Sequence, residues 1–450
     1  MTVNLGLVFF PAFDWAISPT HPEREERLLY TKDQIFEEGV LDFPQVREYK
    51  AAPATPKDVA RAHFCVPEVA SQATEAHLIA AGATLVLAEA LFRREIARGF
   101  ALVRPPGHHA MRVAHGNRGF CNINNEAIMV EYLRRHYGLR RIAIVDTDVH
   151  HGDGTQDIYY NDPDVLYISF HQDGRTLYPG SGFPDEVGGP AAGGLTLNIP
   201  LPPRTTDEGI HYVLDELILP VLAEFAPELV VNSAGQDNHY TDPLANMGFS
   251  AQGYARLNEK LKPDLAVLEG GYAIETALPY VNLGIILAMA GLDYSWVREP
   301  DYPGGGLREA GENKAYLREL VAQLKKIWRQ RGRIMDASYR PEGDFFIRRR
   351  SIYYDTDQIR ETQEERVRRC PDCPGYTAIN SRANRYGVPE ETVYAISIPW
   401  RACPHCQEEA RAEYGRVRET PGVYRHLYLQ DKPRDAYFHY EVATGRETVH

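Results

Sequence analysis

One stretch of the chain joins a buried strand to a cluster of side chains that bind metals. Residues 144–157 read I-V-D-T-D-V-H-H-G-D-G-T-Q-D and follow the apolar, β-branched approach R-I-A-I-V from residue 141. This approach predicts a buried strand of a parallel sheet. Asp148 and His150 are two residues apart, so in extended backbone they point the same way and can share one divalent ion. The alternative, a polar loop with capping residues, does not need three carboxylates and two histidines within eight positions.

Strand-like and helix-like patterns alternate through the first 300 residues. Short apolar segments rich in β-branched residues lie between alanine- and leucine-rich segments with helical spacing. This alternation predicts an α/β fold with a mostly parallel central sheet and helices on both faces. In such sheets ligands bind outside the carboxyl ends of the strands. The predicted strands include Leu5–Phe10 and residues 100–103, 141–145, 165–170, 228–234 and 265–268.

Four of the predicted strands end in residues that carry chemistry. Asp148, His150 and Asp237 form a ligand set for a mononuclear catalytic zinc, with a position left open for water. Tandem histidines can transfer protons, and neighbouring aspartates can orient those histidines. A tyrosine after two glycines can donate a hydrogen bond to an oxyanion. Each residue taken alone has a structural alternative, such as a helix cap or a turn. The remaining members of this predicted site are His108, His109, Asp146, Asp153 and Tyr272.

The charge is unevenly distributed along the chain. Residues 1–300 hold 23 Lys and Arg against 39 Asp and Glu, a balance of −16, whereas residues 301–450 hold 26 against 23, a balance of +3. An acidic main domain suits a cationic substrate and argues against phosphate contacts to nucleic acid, although surface acidity also serves solubility alone.

The distribution of apolar and cysteine residues indicates in which cellular compartment the protein is found. The apolar run at Leu5–Phe10 is too short for a signal peptide, and no run reaches the ~18 residues that span a bilayer. Four of the six cysteines form two C-x-x-C pairs, unlike a disulfide framework. We therefore expect a cytoplasmic protein without a membrane partner.

Six polar and glycine-containing motifs follow one another along the first 300 residues. They are R-P-P-G-H-H-A at 104–110, G-F-C-N-I-N-N-E-A-I at 119–128, D-T-D-V-H-H-G-D-G-T-Q from 146, S-A-G-Q-D at 233–237, D-P-L at 242–244 and L-E-G-G-Y at 268–272. This ordered set resembles the histone deacetylase and acetylpolyamine amidohydrolase family over roughly residues 1 to 300. The resemblance implies an arginase/deacetylase fold and zinc-dependent hydrolysis of an N-acetyl amide on a long amine.

The resemblance also implies a role for each matching residue. It places the catalytic zinc on Asp148, His150 and Asp237, and makes His109 the main general base and acid. It pairs His108 with Asp146 and His109 with Asp153, and has Tyr272 polarise the acetyl carbonyl. It further implies a potassium site at Ser169, with Asp146, Asp148 and the backbone of residues 150 and 170. The substrate channel would be walled by Phe120, Tyr178 and Leu244.

Three features depart from the usual family pattern or extend it. Gln236 stands where an aromatic residue is usual, and Thr147 stands where Trp or Tyr is usual; neither is a ligand, so we expect effects on packing or channel shape. The segment at 110–118 adds His115 and two arginines near the expected mouth, either as rim residues or as a solvated loop.

The last third of the chain predicts a separate module. Pro303-Gly304-Gly305-Gly306 predicts a flexible break, after which apolar residues recur at helical spacing and predict a helix packed on the main domain rather than in a membrane. We divide the chain into a deacetylase domain, 1–335, and a C-terminal domain, 336–450. The apolar positions of the predicted helix are Leu317, Leu320, Val321, Leu324, Ile327 and Trp328.

Two cysteine knuckles predict a structural metal in this C-terminal domain. Cys370, Cys373, Cys403 and Cys406 favour a zinc-ribbon-like site with four thiolate ligands over a redox or iron site. His405 lies within the second knuckle and is not needed as a ligand. The basic, tyrosine-rich surroundings leave three roles open for the module: binding a protein or nucleic-acid partner, supporting a homo-oligomer, or covering the main domain.

Two functions from different classes remain at this point. The first is a zinc amidohydrolase acting on acetyl-lysine, an acetylpolyamine or another acyl amine; the second is a deacetylase-fold binding protein that acts through its C-terminal module. Retention of the complete ligand and proton-transfer set favours the first. Arginase-like chemistry needs two metals with more bridging carboxylates than this pattern offers.

Overall fold

The computed structural model describes residues 3–300, 302–303 and 306–450. Gly304 and Gly305 of the predicted break lie outside the described residues. The main sheet has eight strands in the order β2-β1-β4-β10-β9-β6-β7-β8, and every pair is parallel. The strands are β1 (Val3–Phe10), β2 (Val46–Tyr49), β3 (Phe64–Cys65), β4 (Ile96–Val103), β5 (Val113–Ala114), β6 (Ile142–Asp146), β7 (Val165–Gln172), β8 (Thr196–Leu201), β9 (Leu229–Ser233) and β10 (Leu265–Val267), of which β3 and β5 form a separate pair.

Helices cover both faces of this sheet, as the alternating pattern predicts. Successive strand residues point to opposite faces, so Phe100 and Leu102 join one apolar core while Ala101 and Val103 join the other. The helices are α1 (Leu29–Glu37), α2 (Pro56–Ala62), α3 (Pro67–Gln72), α4 (Glu75–Phe92), α5 (Asn125–Tyr137), α6 (Asp153–Tyr159), α7 (Asp207–Val213), α8 (Leu219–Phe225), α9 (Ala251–Leu261), α10 (Leu278–Ala290) and α11 (Gly311–Arg329).

The helices α4 and α11 pack on the body of the protein through their apolar residues. By length and composition alone α4 is apolar enough to cross a bilayer, but 56% of it is buried inside the protein. It packs on β1, β4 and α5 as a core helix. The predicted helix α11 buries Leu317, Leu324 and Trp328 in the main core, as expected for a helix packed on the first domain.

The C-terminal part is built on a second sheet of eight strands. They lie in sequence order and pair antiparallel, except that β15 and β16 pair parallel. One helix, α12 (Pro404–Glu419), makes the crossover between these two strands. The strands are β11 (Arg340–Glu342), β12 (Phe345–Tyr354), β13 (Ile359–Arg368), β14 (Thr377–Asn384), β15 (Glu391–Ile398), β16 (His426–Asp431), β17 (Ala436–Glu441) and β18 (Arg446–Val449).

The second sheet packs directly against the first part of the chain. Its Ile379, Val393 and Ala395 share an apolar cluster with Phe64 and Val113 of the small β3–β5 pair. Two further mixed clusters join Met111 to Ile352 and Tyr354, and Tyr160 to Tyr339 and Val367. The C-terminal sheet is therefore docked through three apolar clusters and not tethered by a linker alone.

Candidate active site

The chemistry-bearing residues follow four strands that are consecutive in the sheet. In the order β4-β10-β9-β6, these strands lead to His108 and His109, to Tyr272, to Asp237, and to Asp148 with His150. Since the strands are parallel, their carboxyl ends meet at one edge. The fold thus brings the predicted residues together from four distant parts of the sequence.

Asp148, His150 and Asp237 form a compact ligand set. One ligand atom from each lies within 4.8 Å of the others. Nδ1 of His150 is 3.0 Å from Oδ2 of Asp237 and 3.2 Å from Oδ1 of Asp148. Burial alone lowers the pKa of His150, but the two carboxylates outweigh it and raise that pKa to about 10. A divalent cation bound beside this imidazole would neutralise the charge of the two buried carboxylates.

Two glycines leave the space that this ligand set needs. A Cβ atom on Gly270 would overlap Oδ2 of Asp237, and one on Gly235 would overlap Oδ2 of Asp148. Any larger residue at either position would displace a carboxylate. The ligand set and the glycine cradle together fit a zinc ion with two oxygen ligands and one nitrogen ligand.

Each of the tandem histidines is paired with an aspartate, as predicted. Nδ1 of His109 lies 2.9 Å from Oδ1 of Asp153, and Nδ1 of His108 lies 3.2 Å from Oδ2 of Asp146. Burial and the neighbouring His108 lower the pKa of His109 to about 3, so its ring is neutral. Because a carboxylate only accepts, Nδ1 of His109 carries the proton and its Nε2 is left as the acceptor, able to take up a proton.

Tyr272 is fixed by groups that the sequence pattern did not reveal. Its backbone N–H donates to Oδ2 of Asp242 at 2.7 Å, and the guanidinium of Arg27 lies 5.0 Å from its ring centroid. Arg27 also donates to the backbone oxygen of Gly271 at 2.8 Å. Burial raises the pKa of Asp242 to about 7, and the nearby Asp237 contributes to that rise.

A fully buried ion network lies beneath the site. Glu23 accepts from Arg27 at 2.8 Å and from Arg104 at 2.7 Å, and all three are inaccessible to solvent. Oε2 of Glu269 accepts from the backbone N–H groups of Gly107 and His108. Glu269 belongs to the L-E-G-G-Y motif, but nothing local in the sequence shows that it holds the histidine loop.

The aromatic rings of Phe120 and Tyr178 lie beside the predicted catalytic residues. The Phe120 ring meets the Tyr272 ring edge to face at 5.6 Å, and the Tyr178 ring lies 5.2 Å from that of His109. Leu244 is half-buried, and its N–H donates to Asp242, the carboxylate that also holds Tyr272. All three predicted wall residues thus lie on segments connected to the catalytic residues.

Ser169, the residue of the predicted potassium site, lies next to Asp146 in the main sheet. It is paired with Asp146 across β6 and β7 and is fully buried. Its hydroxyl lies 2.8 Å from Nδ1 of His171. The side chains at the two positions that depart from the family pattern point into the core. Gln236 donates a hydrogen bond to Asn282, and Thr147 donates one to Asn232 at 3.0 Å.

The segment at 110–118 is not a solvated loop. Its residues Arg112, His115 and Arg118 are all buried. Arg118 donates from Nη1 to Asp153 at 2.6 Å and from Nε to the backbone oxygen of Tyr353, on the C-terminal sheet, at 3.0 Å. The sequence could not show this role, because the partner strand lies 235 positions away.

The four knuckle cysteines come together at one end of the second sheet. Cys370 and Cys373 follow β13, Cys403 caps α12 and Cys406 lies in its first turn. Each offers a sulfur within 4.8 Å of the others, and backbone N–H groups donate to the sulfurs of Cys373 and Cys403. His405 is exposed and lies outside this group.

Comparisons with known proteins agree with this geometry. Residues 65–283 match the family model described as the histone deacetylase domain. A probable deacetylase of Archaeoglobus fulgidus is 46% identical over 311 residues, covering 63% of this chain and 85% of that protein. A polyamine deacetylase of Danio rerio is 42% identical over 203 residues, covering 43% of this chain and 30% of that protein.

A solved structure shares the fold. A crystal structure of the HDA15 HD domain superposes with a TM-score of 0.64 at 26% identity and covers 73% of this chain and 96% of that one. Sequence relatives, family model and fold therefore coincide on the part of the chain that carries the catalytic cluster. The chain belongs to the histone deacetylase family and is a hydrolytic deacetylase.

Proposed function

We propose that the protein is a zinc-dependent amidohydrolase that removes an acetyl or similar acyl group from a long cationic amine. The observation that carries this proposal is the convergence of Asp148, His150 and Asp237 within 4.8 Å, beside two His–Asp pairs. A zinc ion bound there would polarise the acyl carbonyl and make water acidic enough to attack it near neutral pH.

The chain's own residues supply the proton transfers. His109, oriented by Asp153 through Nδ1, has Nε2 free to take the proton of the attacking water. The same nitrogen then gives a proton to the leaving amine. Tyr272, whose backbone is held by Asp242 and whose ring lies beside Arg27, donates a hydrogen bond from its hydroxyl to the developing oxyanion.

The aromatic walls favour a substrate whose acyl group is carried on an aliphatic stem. Phe120 and Tyr178 offer ring surfaces beside the catalytic residues, suited to the aliphatic stem of acetyl-lysine or of an acetylpolyamine. The acidic balance of residues 1–300 favours a cationic amine. The polyamine deacetylase among the relatives supports acetylpolyamines as one member of this substrate class.

Two further sites complete the proposal. Ser169 with Asp146 and Asp148 would hold potassium, and the four cysteines would hold a structural zinc ion. We take residues 1–335 as the deacetylase domain and 336–450 as the C-terminal domain. The proposal of a pure binding protein is weaker, because a binding protein needs neither the ligand set nor the paired histidines.

The test compares kcat/KM on an acetyl-lysine peptide, acetylputrescine and acetylspermidine, with zinc measured on the same sample. We expect hydrolysis of at least one substrate by protein carrying two zinc ions per chain. Zinc-loaded protein that hydrolyses none of the three would contradict the proposal. The control is Asp237→Asn, which alters one ligand and should abolish turnover without removing the cysteine-bound zinc.

A further inference from the structure

A tight turn presents Phe120 to the catalytic residues. Arg118 and Cys121 exchange two backbone hydrogen bonds, at 2.9 and 3.0 Å, which close a two-residue turn around Gly119 and Phe120. Both central residues have positive φ, +51° for Gly119 and +70° for Phe120. Glycine adopts this conformation freely, whereas for phenylalanine it is strained by roughly 1 kcal/mol or more. The position of Phe120 therefore depends on contacts that hold the turn.

The C-terminal sheet provides such a contact through Asp355. This residue lies in the turn between β12 and β13, and its Oδ1 accepts the backbone N–H of Gly119 at 2.9 Å. The same oxygen accepts the hydroxyl of Tyr178 at 3.0 Å. One carboxylate oxygen thus connects the two segments that carry the aromatic walls, Phe120 and Tyr178.

Two further residues, Tyr353 at the end of β12 and Asp357 in the same turn, bind the same loop. The backbone oxygen of Tyr353 accepts Nε of Arg118 at 3.0 Å, and Oδ2 of Asp357 accepts the backbone N–H of Asn117 at 2.7 Å. A Cβ atom on Gly116 would lie 2.5 Å from Oδ2 of Asp357, so this approach is close. Consecutive residues of the catalytic domain are therefore held by acceptors at the end of β12 and in the turn that follows it.

We propose that Asp355 is a positioning residue of the deacetylase site, through which the C-terminal sheet completes the substrate channel. Asp355 does not touch the reacting atoms. It holds Phe120 and Tyr178 at the spacing that the aliphatic stem of the substrate requires. This inference rests on the proposed function for its effect on substrate, but the positioning itself is a property of the folded chain.

Two substitutions separate the acceptor role of Asp355 from its charge. Asp355→Asn keeps an oxygen that accepts both hydrogen bonds, whereas Asp355→Ala removes it. The matched control is Asp435→Ala. Asp435 is another carboxylate of the C-terminal part that bonds the catalytic domain. Its partners are Lys57 and Arg61 on α2, both at 3.1 Å, and Arg135 on α5, at 3.2 Å, rather than residues of the channel.

The first readout is amide hydrogen exchange of residues 117–121 in the full-length protein. We expect Asp355→Ala to speed exchange of this segment roughly tenfold, and Asp355→Asn and Asp435→Ala to leave it within about twofold of wild type. Unchanged exchange in Asp355→Ala would overturn the proposal. This measurement does not depend on any substrate, so it decides the positioning even if the three acyl substrates are not hydrolysed.

The second readout separates binding from chemistry on the preferred substrate. We expect Asp355→Ala to raise KM about tenfold with kcat changed less than about threefold, and Asp355→Asn to restore most of the loss. Tyr178→Phe removes one of the two hydrogen bonds that Asp355→Ala removes, so in the double variant the increase in KM should be smaller than the product of the two single increases. A fall in kcat alone, or fully multiplicative effects, would contradict the proposal.

Discussion

Nη1 of Arg118 donates to Asp153 at 2.6 Å, although these residues lie 35 positions apart and the sequence pattern does not pair them. Asp153 is also the carboxylate that orients His109, and Arg118 is itself oriented by the backbone of Tyr353. A chain of direct hydrogen bonds therefore runs from the C-terminal sheet to the proposed general base.

Removal of the Arg118 charge tests this chain of contacts. Arg118→Met leaves Asp153 as a buried carboxylate without its cationic partner, so we expect kcat to fall about 10- to 100-fold and stability to drop by about 3 kcal/mol. Arg118→Lys keeps the positive charge but not the paired hydrogen-bond geometry, so it should retain part of the wild-type kcat and part of the wild-type stability. Steady-state kinetics with urea denaturation measures the two effects, and a Met variant with wild-type kcat would argue against the role of Arg118.

Tyr272 should act in the transition state rather than in substrate binding. We expect Tyr272→Phe to lower kcat by roughly 10²- to 10³-fold with little change in KM, because only the oxyanion donor is lost. Tyr159→Phe is a suitable control, since that hydroxyl donates to the backbone oxygen of Ala127 inside the core. Equal kcat for the two variants would remove Tyr272 from the mechanism.

The two metal sites should be separable by mutation. His150→Ala should reduce the zinc content from two ions per chain to one and abolish turnover, whereas Cys403→Ser should also remove one ion but chiefly destabilise the C-terminal part. Zinc analysis, turnover and thermal unfolding of the same samples distinguish these results. Loss of both ions in His150→Ala would show that the sites are not independent.

His63 should make stability depend on pH. Burial lowers its pKa to about 4, and its neutral ring bonds the backbone oxygen of Met111 through Nδ1 at 2.8 Å and the backbone N–H of Asn124 through Nε2 at 2.9 Å. In the unfolded chain this histidine has its ordinary pKa of about 6.5 and binds a proton below that pH. The folded state therefore loses stability as the pH falls from about 6.5 to about 4.

The size of this effect can be measured by urea denaturation. Between about pH 7 and pH 5 the contribution of His63 should fall by about 2 kcal/mol. His63→Gln cannot titrate, so its free energy of unfolding should change less over this interval than that of the wild type. Identical pH dependence in the two proteins would exclude His63 as the source.

Local patterns in the sequence were enough to predict which side chains meet at the site. Asp148, His150, Asp237, His109 and Tyr272 each follow an apolar strand pattern, and the carboxyl ends of parallel strands meet at one edge of a sheet. Hydrophobic periodicity and motif spacing therefore predicted both the α/β fold and the metal cluster. The paired C-x-x-C motifs predicted the second cluster on the same grounds, because close ligand spacing is a local property.

The groups that hold these residues in place became visible only in the folded chain. Asp355 reaches Gly119 across 236 positions of sequence, and Arg27 lies against Tyr272 from the opposite end of the catalytic domain. Such contacts depend on how the second sheet and the first helices pack against the main sheet. No local periodicity or motif encodes the choice of partner. Arg118 therefore resembled a loop residue in the sequence and proved to be buried, with hydrogen bonds to Asp153 on α6 and to Tyr353 on the second sheet.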